Sequence, residues 1–236
     1  MTLHMLSIPT NPGRLYEWAR REAGLSLDDE GYLLHVALRK AFGGASPQPF
    51  ALKKNRAGDW TVLGYGPDGA DDLRREQSMI ASPLLTEAFQ PRGVASKAMP
   101  EDWPAGRRFG FEVCCCPIKR GKAGQGPAEH DVYLRERLHE AETSPDQVYR
   151  DWLAEELARY EAADLLGCEA PVVRSFRPVR RGPRGPRRLR SDRKAVAFSG
   201  TLRIRDPAGF EALLARGLGR HRAFGFGMLL LRAVGR

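Results

Sequence analysis

Apolar side chains recur along this chain with two different periods, and the order in which the periods alternate predicts its elements. An opening strand over about 2–8 runs into Pro9 and Pro12, which break it. Leu15, Trp18 and Ala19 then recur at helical spacing as far as Gly24. Asp28, Asp29 and Glu30 set acidic groups at the positive end of a second helix, about 29–42, which holds Tyr32 and His35. After Gly43 and Gly44, strands near 49–55 and 59–65 flank the turn Ala57-Gly58. A short helix at 69–77 and a strand near 92–98 finish the first half.

The second half repeats the order. A strand over about 107–119 leads through the glycine-rich stretch 121–127 into helical sequence. Val148, Trp152, Leu153, Leu157 and Tyr160 line one face of a long helix, with Arg150, Asp151, Glu155 and Arg159 opposite, so the stripe belongs to a core. Strands at about 169–177 and 195–205, a helix at 206–216 and a strand at 223–233 close the pattern. Two successive strand-helix-strand-strand-helix-strand units predict an α+β protein of tandem ferredoxin-like (RRM-like) domains, each with an antiparallel sheet covered by helices on one face. The expected boundaries are 1–99 and 106–236, joined near 99–105.

Composition narrows the class. The 236 residues are 42% hydrophobic, enough for one large or two small cores. No apolar run approaches the roughly 20 residues that span a bilayer, and the first residues lack the apolar centre of a secretion signal. The expectation is a cytoplasmic protein with no membrane partner. Cys114, Cys115 and Cys116 are adjacent and Cys168 stands alone, so no C-x-x-C pair exists. Neighbours on a strand point to opposite faces, and the cysteines read as small buried side chains rather than metal ligands. His4, His130 and His139 show no metal spacing either. No cofactor is expected.

Charge changes the picture most. Residues 174–194 carry nine Arg and one Lys against Asp192 alone, which leaves 28 basic and 28 acidic side chains elsewhere. The whole net charge of +9 therefore sits in one arm. Guanidinium groups stay ionised and offer forked donors to phosphate, so the expected partner is a nucleic acid. A solvated tail is the plainer reading, but this run is internal and lies between two strands. Arg174, Arg177, Arg180, Arg181, Arg184, Arg187, Arg188 and Arg190 are the candidate contacts.

A second candidate surface is the loop Gly217, Gly219, Arg220, His221, Arg222, Gly225 and Gly227, whose amides could hold phosphate. It follows a helix and opens a strand, the reverse of a dinucleotide fingerprint, and has no G-K-[ST] ending.

The loop's pattern is G-x-G, five residues centred on Arg222, then G-x-G ahead of a terminal strand. It resembles the signature loop of CRISPR-associated repeat-processing ribonucleases, and in particular the CasE family of Cascade-type (type I-E) systems. Gly-Tyr-Leu-Leu-His-Val-Ala-Leu at 31–38 resembles that family's catalytic helix. Ala-Met-Pro at 98–100, Cys-Pro-Ile-Lys-Arg at 116–120 and Glu-His-Asp-Val-Tyr-Leu at 129–134 resemble its central region. The resemblance implies tandem ferredoxin-like domains and binding of the hairpin in CRISPR repeat RNA. It also implies metal-independent cleavage at the 3′ base of the stem, and retention of the guide RNA among other Cascade subunits. Pro183 and Pro186 depart from the hairpin expected of the arm in relatives.

The residues can support that chemistry. Tyr32 and His35 are three apart and share a helix face. RNA carries its own nucleophile, the 2′-OH, and cutting it needs one proton removed there and one supplied to the departing 5′-oxygen. A histidine with an ordinary pKa near 6.5 suits either task. His35 is the candidate acid or base, Tyr32 positions the 2′-OH or shares the proton transfer, and Arg39 or Lys40 stabilises the phosphorane. Taken without the resemblance, a single His in so apolar a helix reads as a core residue, and His221 is the rival catalyst. A non-cleaving RNA-binding subunit is the alternative function. A conventional RNA-recognition module lacks its K/R-G-F/Y-G/A-F-V-x-F/Y strand here.

Overall fold

The computed structural model describes residues 2–25, 28–120, 129–136, 143–182, 185–188 and 192–234. In β1 (His4–Thr10), Leu6, Ile8 and Thr10 alternate onto the buried face. Asn11 caps α1 (Pro12–Trp18), with Pro12 in its first turn. A π turn carries the chain to Ala23, and Gly24 ends it at φ +59°. α2 (Glu30–Phe42) follows, then the hairpin of β2 (Phe50–Lys54) and β3 (Trp60–Gly66). α3 (Ala70–Ile80), α4 (Pro83–Ala88) and β4 (Ala95–Ala98) complete this half. The antiparallel sheet runs β2-β3-β1-β4, which is the ferredoxin-like order. Leu6, Ile8 and Val62 of the sheet pack with Leu33, Leu34, Leu38 and Phe42 of α2 in the first core.

The second half is built alike, from β5 (Arg108–Cys115), β6 (Ile118–Arg120), β7 (Glu129–Asp131), α5 (Val132–Glu136) and α6 (Pro145–Ala158) onward. Then come β8 (Ala163–Cys168), β9 (Val172–Phe176), β10 (Val179–Gly182), β11 (Gly185–Arg188), β12 (Arg193–Ile204), α7 (Pro207–Arg216) and β13 (Leu230–Ala233). Its main sheet runs β13-β5-β12-β8, the same order again. The protein is therefore α+β with tandem ferredoxin-like units.

Several expected elements change shape. The strand expected at 107–119 stops at Cys115 and resumes as β6 against β7, because Pro117 brings no N–H to a ladder. The strand expected at 169–177 is β9, opposite the first half of β12, while β8, which the sequence did not predict, lies opposite the second half. The last strand begins only at Leu230, since 222–224 form a 3₁₀ turn. Tyr160 falls beyond the end of α6, in a further 3₁₀ turn. The glycine-rich stretch 121–127 and His139 lie outside the described residues.

The connection from β4 to β5 is anchored rather than loose. Trp103 is 3% exposed and packs edge-on against Phe109 and Phe210, at 5.8 and 5.2 Å between ring centres. The two sheets also meet directly. Tyr65 of β3 is buried in the second core and its hydroxyl donates to the Leu229 carbonyl at 2.9 Å, while Lys53 pairs with Glu112 at 2.9 Å. No helix among the described residues is long and apolar enough to cross a membrane.

Candidate functional site

α2 begins at Asp29, whose Oδ1 accepts the Tyr32 N–H at 3.0 Å, one of the first-turn donors that no helix can satisfy internally. From that cap the 3.6-residue repeat carries Leu33, Leu34, Ala37 and Leu38 into the core. His35 stays half-buried, and Arg39 and Lys40 are exposed in the last turn, where cations suit the negative helix end. Tyr32, His35, Arg39 and Lys40 all line one cleft of about 890 Å³. Its other wall comes from Trp18, Glu22 and Leu25 on one side and Ile80 and Leu85 on the other. The apolar surroundings of His35 in the sequence belong to the core side of α2, and His35 faces away from it.

Phe224, in the glycine loop, is the link the sequence did not reveal. Its ring stacks on Tyr32 at 6.2 Å, meets His35 edge-on at 5.0 Å and lies 6.1 Å from the His221 ring. The loop is held in shape by bonds from its own amides, one within the loop and two to β5 and α6. Leu218 N–H donates to the Gly227 carbonyl at 2.8 Å, Gly227 N–H to Cys114 at 2.7 Å and Gly219 N–H to Glu156 at 3.2 Å. Gly217, Gly219, Gly225 and Gly227 all have left-handed φ, and a Cβ on Gly227 would lie 2.1 Å from the Leu218 carbonyl oxygen. Several amides expected to face phosphate are thus engaged within the loop or by β5 and α6.

What the loop presents outward is side chains. Arg216, Arg220, His221 and Arg222 line a hollow of about 460 Å³ with Arg159, Glu129 and Glu156. Glu129 is its hub: Arg220 lies 3.4 Å from one carboxylate oxygen, and His221 Nε2 and Arg193 lie 3.3 and 3.9 Å from the other. Arg222 donates to the Arg216 carbonyl at 2.8 Å. His221 and His35 therefore line different hollows, and Phe224 lines both.

The basic arm springs from the β9–β12 pair, in which Ser175 faces Lys194 and Phe176 faces Arg193. Arg174 and Arg177 are exposed at its base, and Arg177 is clamped by Asp192 at 2.8 Å. Beyond it β10 and β11 pair antiparallel, with Arg180 opposite Arg187 and Arg181 opposite Pro186, so the two prolines permit a hairpin ladder. Arg184 and Arg190 lie outside the described residues, as do the side chains of Arg180, Arg181, Arg187 and Arg188. The arm's base touches both other parts of the site. Phe176 packs on Phe226 of the glycine loop at 5.2 Å, and Val179 N–H donates to Asp29 Oδ2 at 2.8 Å.

Other titratable groups have structural parts. Burial pushes the thiols of Cys114, Cys115 and Cys168 up, which keeps them protonated near neutrality. Burial also raises the Asp131 carboxyl, which accepts from Tyr133 N–H, Leu134 N–H and the Tyr149 hydroxyl and so fixes the start of α5 beside Glu129. His4 bonds the Pro67 carbonyl at 3.1 Å.

Comparison with known proteins bears on the family and the fold. A family model described as CRISPR associated protein matches residues 7–233. Curated protein sequences give no match. Among solved structures, Cse3 of Thermus thermophilus bound to an RNA representing a pre-cleavage complex is 21% identical, with TM-score 0.62 over 99% of this chain and 100% of that one. A CRISPR endoribonuclease Cse3 bound to a 19-nucleotide RNA is 20% identical, with TM-score 0.64 over the same shares. A chain of a CRISPR RNA-guided surveillance complex is 14% identical, with TM-score 0.55 over 98% of this chain and 100% of that one. At these identities the likeness is one of fold.

Proposed function

Because this chain belongs to the CRISPR-associated protein family, we propose that it is an endoribonuclease that cuts CRISPR precursor RNA at the 3′ base of the repeat hairpin. It keeps the product as guide RNA and passes with it into a surveillance complex in the cytoplasm. The observation that carries the reading is the placement of His35, half-buried on the wall of an open cleft with Tyr32, Arg39 and Lys40, one aromatic ring from the glycine loop. The solved relatives that hold RNA or stand in a surveillance complex share this fold across nearly the whole chain, which supports the same class of partners.

The proposed division of labour follows the two halves. Residues 1–99 supply the cutting helix, and 106–236 supply the arm and the glycine loop. Arm guanidiniums hold phosphates of the stem, and Arg220, His221 and Arg222 hold the strand near the cut, with Gly217, Gly219, Gly225 and Gly227 shaping the backbone that carries them. The 2′-oxygen beside the scissile phosphate attacks phosphorus, the bond to the 5′-oxygen breaks, and the products are a 2′,3′-cyclic phosphate and a 5′-OH. His35 moves one of the two protons, Tyr32 orients the 2′-OH, and Arg39 or Lys40 offsets the charge on the phosphorane. The attacking group belongs to the RNA, so the scheme requires no metal ion.

Incubating a labelled repeat hairpin with the protein in EDTA tests the scheme. Cleavage giving the two stated ends is expected, while bound but intact RNA would leave only the non-cleaving subunit. His35→Ala is expected to bind the hairpin and cut it at least about 100-fold more slowly, the usual scale of acid–base assistance. Undiminished cutting would move the chemistry to His221.

A further inference from the structure

One carboxylate joins the helix that carries His35 to the arm that carries the charge. Asp29 is 8% exposed, and its two oxygens take different donors. Oδ1 accepts the Tyr32 N–H of α2 at 3.0 Å and Oδ2 accepts the N–H of Val179, the first residue of β10, at 2.8 Å. Val179 is itself 2% exposed. Both bonds are charge-assisted and shielded from water, which makes them stronger than neutral surface bonds. A helix is stiff over its length, and His35 lies six residues past the cap, about 9 Å along the axis. A shift of the arm's base that carries Asp29 with it would therefore move the helix and its imidazole.

We propose that Asp29 is a positioning residue that sets the register between the arm and His35, so that RNA seated on the arm brings its scissile phosphate to the imidazole. The proposal rests on the nuclease reading above. Capping alone does not require a carboxylate here, because Asn caps helices as well as Asp. The second oxygen is what matters. In Asp29→Asn the amide oxygen still accepts from Tyr32, but its NH₂ then faces the Val179 N–H, donor against donor.

Asp29→Asn is expected to keep the wild-type circular dichroism and to melt only a few degrees lower, the cost of one stranded buried donor. It should bind a hairpin with a 2′-deoxy scissile nucleotide within about twofold of wild type, and yet cut the natural hairpin about tenfold more slowly at saturating protein. That is the scale of one charge-assisted hydrogen bond. Val179→Pro removes the same bond from the other side, so the double variant should cut no more slowly than the slower single. Multiplying losses, or a lower melting temperature with an unchanged saturated rate, would overturn the proposal. A second readout does not depend on cutting. Hairpin binding should slow amide hydrogen exchange at 29–35 in wild type but not in Asp29→Asn, and equal slowing in both proteins would also overturn it. Failure of the nuclease reading shows separately, as wild-type protein inert in EDTA or His35→Ala that still cuts.

Discussion

Gly31 sits in the first turn of α2, and a Cβ built there would lie 2.2 Å from the Phe224 carbonyl oxygen. Glycine normally weakens a helix by nearly 1 kcal/mol relative to Ala. At this position it lets the glycine loop come close enough for Phe224 to reach both Tyr32 and His35. Gly31→Ala should therefore form α2 at least as readily and yet displace Phe224, with a fall in cleavage rate of about tenfold or more on the scale of a 1 Å misplacement. Circular dichroism and single-turnover cleavage measured on the same preparation check this, and an undiminished rate would count against the loop's part in the site. Not all of this was open to reading from the sequence. Spacing set Tyr32 and His35 on one face, but whether His35 faced core or solvent depended on which side of α2 met the sheet. Phe224 carried no signal, because the short run Ala223-Phe224-Gly225-Phe226-Gly227 does not tell which ring turns toward α2.

At the level of elements, α2, α6 and α7 were legible because each presents an apolar stripe bounded by a capping residue or glycine. β8 and α4 were not. α4 has six residues, too few for a repeat to show, and is marked only by Ser82 capping it ahead of Pro83. β8 follows α6 after a single 3₁₀ turn and is edge-paired to one half of β12, so tertiary pairing rather than local pattern makes it a strand. The arm was legible as charge, and its ladder was obscured by Pro183 and Pro186. If about six of its guanidiniums meet phosphates, log affinity for the hairpin should fall against log salt with a slope of about −4 to −5. Replacing Arg180, Arg181, Arg187 and Arg188 with Gln should flatten that slope by about 0.7–0.9 per lost contact. A salt titration of both proteins measures it, and a wild-type slope near zero would remove the arm from the binding scheme.

Across the whole molecule, the two sheets meet at Tyr65 of β3, which is buried in the second core. Burial pushes its hydroxyl above the ordinary tyrosine range, which keeps it a donor to Leu229 near neutrality. Tyr65→Phe strands that buried carbonyl and should cost about 1–3 kcal/mol, read as a lower urea midpoint with an unchanged slope. Two separated transitions in the wild type would show instead that the sheets unfold independently. The junction at the base of the arm has a wider consequence. Among the described residues, Phe176 on Phe226, Val179 on Asp29 and Arg193 on Glu129 tie its base to the rest of the chain and the Arg177–Asp192 clamp braces it, while the β10–β11 ladder extends past them. That junction is a seam. On the proposed scheme, an arm transplanted there from a relative would change which transcripts are recognised and leave the cutting helix in place, provided the graft kept a ring at 176 and an amide N–H at 179.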